Sequence, residues 1–176
     1  LPASMNQVEY FGRGPAENYL DRNAGSMIGL YKSTAEELYF PYVRPQENGH
    51  HTDTRWVSLS TGKKGLLIQA DNTIGFNALR NSIEDFDDEE ATGLPRQWSN
   101  FTPEQVANHD EAAAKNVLRR QHHINDITPR DFVEVCVDLK QQGVAGYDSW
   151  GSRPEPAYTL PANREYNWGF TLIPLK

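Results

Sequence analysis

The feature that most restricts this chain is a period-two pattern of apolar residues in short runs, cut by turn residues. In "DFVEVCVDLK" (131–140), Val133, Val135, Val137 and Leu139 fall on one face of a strand. Glu134, Cys136 and Asp138 fall on the other, because successive side chains of an extended chain point to opposite sides. "TRWVSLS" (54–60) leads through the turn "TGKKG" into "GLLIQA" (65–70). "IGFNALR" (74–80) follows after "DNT", a spacing that reads as a hairpin. "NQVEYFG" (6–12) reads as another strand. "YNWGFTLIPL" (166–175) puts Trp168, Phe170 and Leu172 on one side of a last strand, with Pro174 marking its end or a sheet edge. Antiparallel strands joined by short turns and a few long loops specify an all-β fold, a β-sandwich rather than alternating βαβ units.

One segment breaks the pattern. "NFTPEQVANHDEAAAKNVLRR" (100–120) carries helix signals: Thr102 can cap, Pro103 suits the first helical position and Gln105 completes a capping box. Its alanines favour helix, and Glu111 and Lys115 are a supporting pair four apart. The expectation is a short helical insertion near residues 102–118, inside an excursion from 82 to 126 on the β scaffold. The acidic stretch before it, "SIEDFDDEEATGLPRQW", lacks the glycine and closing glutamate of a calcium loop and reads as a solvated face.

Charge and composition then exclude function classes. With 176 residues the chain can bury a core as one domain. A formal net charge of −7, with scattered Lys and Arg, leaves no concentrated basic face for nucleic acid. No apolar run reaches the length of a membrane span. The single cysteine, Cys136, allows no internal disulfide, and its mid-strand position predicts a buried, inert thiol. The start, "LPASMNQVEYFG", has neither an initiating Met nor a signal peptide and reads as a cut inside a longer polypeptide. Aromatic residues at 11%, with 13 Gly and 11 Pro, fit a turn-rich β domain with surfaces for flat ligands.

Candidate chemistry is sparse. "GRGPAEN" (12–18) has Pro15 and Glu17 where a dinucleotide fingerprint needs a helix start and a glycine, so it reads as a tight turn. Glu17, Asp21 and Arg22 are free to form ion pairs there. The pairs His50–His51 and His122–His123 each point to opposite faces of a strand, which disfavours a metal site. No Gly-x-Ser-x-Gly is present. Paired carboxylates abound, but nothing sets two of them at a catalytic separation. Trp150 stands out. In "GYDSWGSRP" (146–154) it sits among Gly, Ser and Asp, where no periodic pattern buries it. Such an indole is either a plug over the end of the sandwich or an exposed platform for the apolar face of a galactose-type ring. Asp148 and Ser149 could orient the loop or bond sugar hydroxyls.

Three segments in order carry a family resemblance: "YFGRGPAENYLDR" (10–22), "PYVRPQENGHHTDTRW" (41–56) and "GYDSWG" (146–151). Together with "DFVEVCVDLKQQGVAGYDSW" they resemble the C-terminal, small-chain (fifth-domain) region of the β-galactosidases of glycoside hydrolase family two, over essentially the whole chain. The resemblance implies a sandwich of the galactose mutarotase-like (supersandwich) type. It implies a parent that hydrolyses terminal non-reducing β-D-galactosides with retention. Its two catalytic glutamates, and its Mg and Na ions, belong to a barrel domain for which this chain has no matching segment. Residues 1–176 are then one N-terminally truncated domain, inactive alone, with no catalytic residue and no metal or other cofactor of its own. By the same resemblance Trp150 stacks on substrate. Arg44, Glu47, Asn48 and Arg55 are structural, through buried Arg–carboxylate pairing.

The implied partners are the β-galactoside sugar and upstream domains of the same polypeptide, with no nucleic acid or membrane; a homo-oligomer is compatible with the sequence. The compartment stays open between bacterial cytoplasm and periplasm. Exposed edges left by truncation predict self-association or low stability. Two alternatives compete. One is an aldose 1-epimerase using His122 or His123 with Glu134 as acid and base. The other is a free-standing carbohydrate-binding module.

Overall fold

Runs with a buriable face become strands, exposed partners join them, and among the described residues six strands form a single antiparallel sheet. The structure, a computed structural model, describes residues 1–43, 45–86, 124–148 and 150–176. The strands are β1 (Gln7–Gly14), β2 (Met27–Thr34), β3 (His51–Ser60), β4 (Gly65–Leu79), β5 (Glu134–Asp138) and β6 (Phe170–Leu175). Their order is β2-β1-β3-β4-β5, with β6 also on β4. The fold is all-β. One sheet is present among the described residues, and they do not display the second layer of the expected sandwich.

The register explains the core. Val8 lies opposite Leu59 and Tyr10 opposite Val57, which in turn faces Ile68. Phe76 and Ala78 continue the same buried face toward β5. Removing each large apolar side chain from water contributes about 1.5–3 kcal/mol. Tyr10 is the hinge of this layer. At 1% exposure it packs edge-on against Phe76, tilted against His51, and beside Tyr31 of β2.

The hairpin expected at "DNT" does not form. β4 runs unbroken through residues 71–73, and the polar triplet marks a change of neighbour instead of a reversal. Residues 65–70 pair with β6, and residues 75–79 pair with β5. The triplet is absorbed against β3 as an irregularity, where two steps from Thr54 to Trp56 match five from Gln69 to Ile74. Continuing the strand lets β4 pair with β3 along one edge and with β6 and then β5 along the other. A second irregularity lies between His51 and Thr54, at Asp53, whose φ is +51°. Such a backbone costs a non-glycine residue on the order of 1–2 kcal/mol, and its side chain is held by Arg13.

β2 has no counterpart in the sequence reading. It pairs with β1 over its full length but leaves Met27, Ile28 and Leu30 exposed, so no inward–outward alternation marks it. Pro174 sits in β6, which pairs with β4 alone among the described strands, as an edge position requires. Cys136 is half-buried, not buried as expected. Among the described strands β5 pairs only with β4, and all of its residues are half-buried.

The chain divides into two compact units. The sheet belongs to the first, made of Leu1–Phe40, Asn48–Arg80 and Pro129–Lys176. The second comprises Pro41–Glu47 and Asn81–Thr128, close to the excursion expected from 82 to 126. Its described residues form 3-10 turns at Ile83–Asp85 and Ile124–Asp126. Ser82 N–H donates to the Asp85 carboxylate (3.1 Å), and the Asn81 side-chain amide donates to Thr128 O (2.8 Å). The helical insertion expected near residues 102–118 lies outside the described residues, as do Arg44, His122, His123 and Ser149.

Candidate functional site

The polar motifs converge at one end of the sheet. The connection from β1 to β2 is fixed by Asn18, whose amide nitrogen donates to Arg13 O and Ala16 O (both 3.1 Å). Its oxygen accepts from Thr52 N–H (3.0 Å) and the Thr52 hydroxyl (2.6 Å). Glu17 accepts the N–H of Gly49 (2.8 Å). Arg13 Nε reaches Asp53 at 2.6 Å, and its Nη1 donates to Ser26 O (2.8 Å). Side chains thus satisfy the buried backbone of two loops that have no ladder partners, where unpaired groups would be costly.

The first histidine pair belongs to this frame. His50 and His51 are both buried, on opposite sides of the backbone: Tyr19 stacks on His50, while Tyr10 and Phe76 pack on His51. Asn77 donates to Asn48 O (2.7 Å), so its Oδ1 is left to accept from His50 Nδ1 (3.0 Å). Asn48 in turn accepts Phe40 N–H (2.9 Å). His51 Nδ1 donates to His50 O (3.0 Å), leaving Nε2 buried with no partner. Burial first, and the adjacent His50 second, push the His51 pKa down to about 3. His51 is a neutral core side chain. Among the described residues no three His, Cys, Asp or Glu side chains come together to hold a metal ion.

The ion pairing expected for Asp21 is replaced by a different role. Asp21 Oδ1 accepts Val144 N–H (3.0 Å), and Oδ2 accepts Ala145 N–H (2.8 Å) and the Tyr147 hydroxyl (3.5 Å). Desolvation, then the carboxylates of Asp21 and Glu155, raise the Tyr147 pKa, so the phenol keeps its proton at neutral pH and donates. Arg55, expected to pair with a carboxylate, bonds Asp53 O (2.5 Å) and covers the Phe11 ring at 5.6 Å.

Beyond this anchor the chain closes on itself and lifts Trp150 into solvent. The Asp148 carboxylate accepts the N–H of Trp150 (2.8 Å) and of Ser152 (3.3 Å), and Tyr147 N–H donates to Ser152 Oγ (3.0 Å). Gly146 and Gly151 take φ values of +81° and +85°, open to glycine at no steric cost. Trp150 is 93% exposed, so it does not plug the sheet from which it projects. Asp148 acts on the loop as the sequence suggested. The signal missed in the sequence was Asp21, because its partners are backbone groups more than 120 residues away.

The fold and this end of the sheet define an antiparallel all-β domain that presents a tryptophan on a braced loop. The chain belongs to the β-galactosidase small chain family, whose profile matches residues 1–172. It is 34% identical over 176 residues to a protein of Priestia megaterium named β-galactosidase, covering 99% of this chain and 14% of that protein. It is also 28% identical to a β-galactosidase of Vibrio cholerae and 26% to one of Staphylococcus xylosus, in each case over 98% of this chain. The chain spans 13–14% of the length of these relatives.

Proposed function

We propose that this chain is the small-chain part of a β-galactosidase that hydrolyses terminal non-reducing β-D-galactosides with retention. In this reading, polypeptide outside residues 1–176 supplies the two catalytic glutamates and any metal ions, and completes the sandwich. Residues 1–176 supply Trp150 as one wall of the sugar site and are inactive alone. The observation that carries the reading is the family match over residues 1–172, with relatives named β-galactosidase of which this chain is about one-seventh. The 93% exposure of Trp150 on a hydrogen-bonded loop supports its role. A flat indole can cover the C–H face of galactose while neighbouring groups bond its hydroxyls.

The test is turnover of a chromogenic β-galactoside. Purified residues 1–176 should give no hydrolysis above buffer, while the full-length polypeptide should release the chromophore with net retention at the anomeric carbon. Turnover that copurifies with the isolated chain, or inversion by the full-length protein, would defeat the proposal.

A further inference from the structure

We infer that Asp21 is the positioning residue for the sugar-facing loop: it sets where Trp150 stands without touching substrate itself. The inference rests on the proposed role of Trp150 as a wall of the sugar site. It names what holds that wall.

Three features of the geometry carry it. First, the Asp21 carboxylate spends both oxygens on this loop, on two consecutive backbone N–H groups and one phenol. A carboxylate accepting several N–H bonds is a strong, direction-specific clamp. Second, the loop is shaped around the clamp. A Cβ on Gly143 would stand 2.6 Å from Asp21 Cγ and Oδ2, so only glycine lets the carboxylate approach. Gly143 N–H is itself tied to Tyr158 O at 2.7 Å, which fixes the opposite side of the loop stem. Third, Ala145 takes φ +54°, a left-handed backbone that its own side chain disfavours, at the residue whose N–H Asp21 binds. Downstream, hydrogen bonds among Tyr147, Asp148, Trp150 and Ser152 close the turn, and Asp21 holds the stem at residues 144–145 that carries it. Asp21 is held in turn by the β1–β2 connection, which Asn18 and Arg13 bond to the segment around Thr52 and Asp53.

A wall held slightly out of place binds sugar less well but leaves the glutamates untouched, so the effect belongs in KM more than in kcat. The experiment is a double-mutant cycle in the full-length β-galactosidase polypeptide, with Asp21→Ala and Trp150→Ala singly and together, assayed on a chromogenic β-galactoside. Trp150→Ala should raise KM roughly tenfold or more, and Asp21→Ala about threefold to tenfold with kcat within about twofold. Asp21→Ala should add nothing once Trp150 is gone, because it acts only through that residue. Asp21→Asn, which keeps one acceptor, should fall between wild type and Asp21→Ala. Gly143→Ala, which pushes the carboxylate away from the other side, should repeat the KM effect. If Asp21→Ala does not fold, Asp21→Asn and Gly143→Ala carry the cycle. A raised KM in Trp150→Ala with wild-type KM in Asp21→Ala overturns the inference alone. Additive effects in the double variant do the same. An unchanged KM in Trp150→Ala overturns the sugar-site reading and this inference with it.

Discussion

Two stretches of this chain look alike as sequence and do opposite things in the fold. "ENGHHTD" (47–53) and "GYDSWGS" (146–152) are both glycine-bearing, polar and aromatic, and neither has a strand period. The first turns its rings inward: His50 and His51 are 1% exposed, each covered by a tyrosine. The second holds its indole at 93% exposure. The difference lies in where each segment finds hydrogen-bond partners. Residues 48–53 are met by side chains from β1, its connection to β2, and β4, so their rings are drawn under the sheet end. Residues 147–152 bond to one another, and Asp21 grips the stem at residues 144–145 and the Tyr147 hydroxyl, while the Trp150 indole stands in solvent. Polar residues build a core in one place and a pedestal in the other.

Variants that break this contrast should differ by size of effect. Tyr10→Ala removes the ring against which His51, Phe76 and Tyr31 pack. It should lower stability by about 3–5 kcal/mol, read by urea unfolding. Asn77→Ala removes the buried acceptor of His50 Nδ1 and a donor to Asn48 O and should cost about 1–3 kcal/mol. Acid should act through His51. Its pKa in the folded chain is about 3, against an ordinary value of 6.5, so the unfolded chain binds the proton first. Stability is therefore fully present above about pH 6.5 and is lost as pH falls from there toward 3, by at most about 1.4 kcal/mol per pH unit for this one proton. Stability curves of wild type and His51→Phe should diverge in that window, and parallel curves would refute the neutral, buried imidazole. At the small end, Trp150→Ala should change stability by less than about 0.5 kcal/mol. A large loss of stability there would mean the indole belongs to a core after all.

The strands with one clearly apolar face were legible in the sequence. β1, β3 and β5 announce themselves through Val8 and Tyr10, Val57 and Leu59, and the valines of 133–137. β2 was not legible, because both of its faces remain partly exposed and burial never sorted its residues. "DNT" misled because turn-forming residues also serve where a long strand changes neighbours, and only the register against Thr54 and Trp56 tells the two apart. The prominence of Trp150 could be read from its surroundings, but its support could not. Asp21 looks like one more surface carboxylate until the fold brings residues 143–147 to it. His50 and His51 were expected on opposite faces of a strand, and Tyr19 covers one while Tyr10 and Phe76 cover the other, yet nothing local revealed that Asn77 would bond His50.

The most direct test is a crystal structure of the full-length polypeptide with galactose bound. The account predicts the Trp150 indole lying flat against the C–H face of the sugar, ring to carbon about 4 Å, with the reacting carbon facing carboxylates from outside residues 1–176. A sugar bound with Trp150 still bathed in solvent, or one enclosed wholly by residues of this chain, would contradict it.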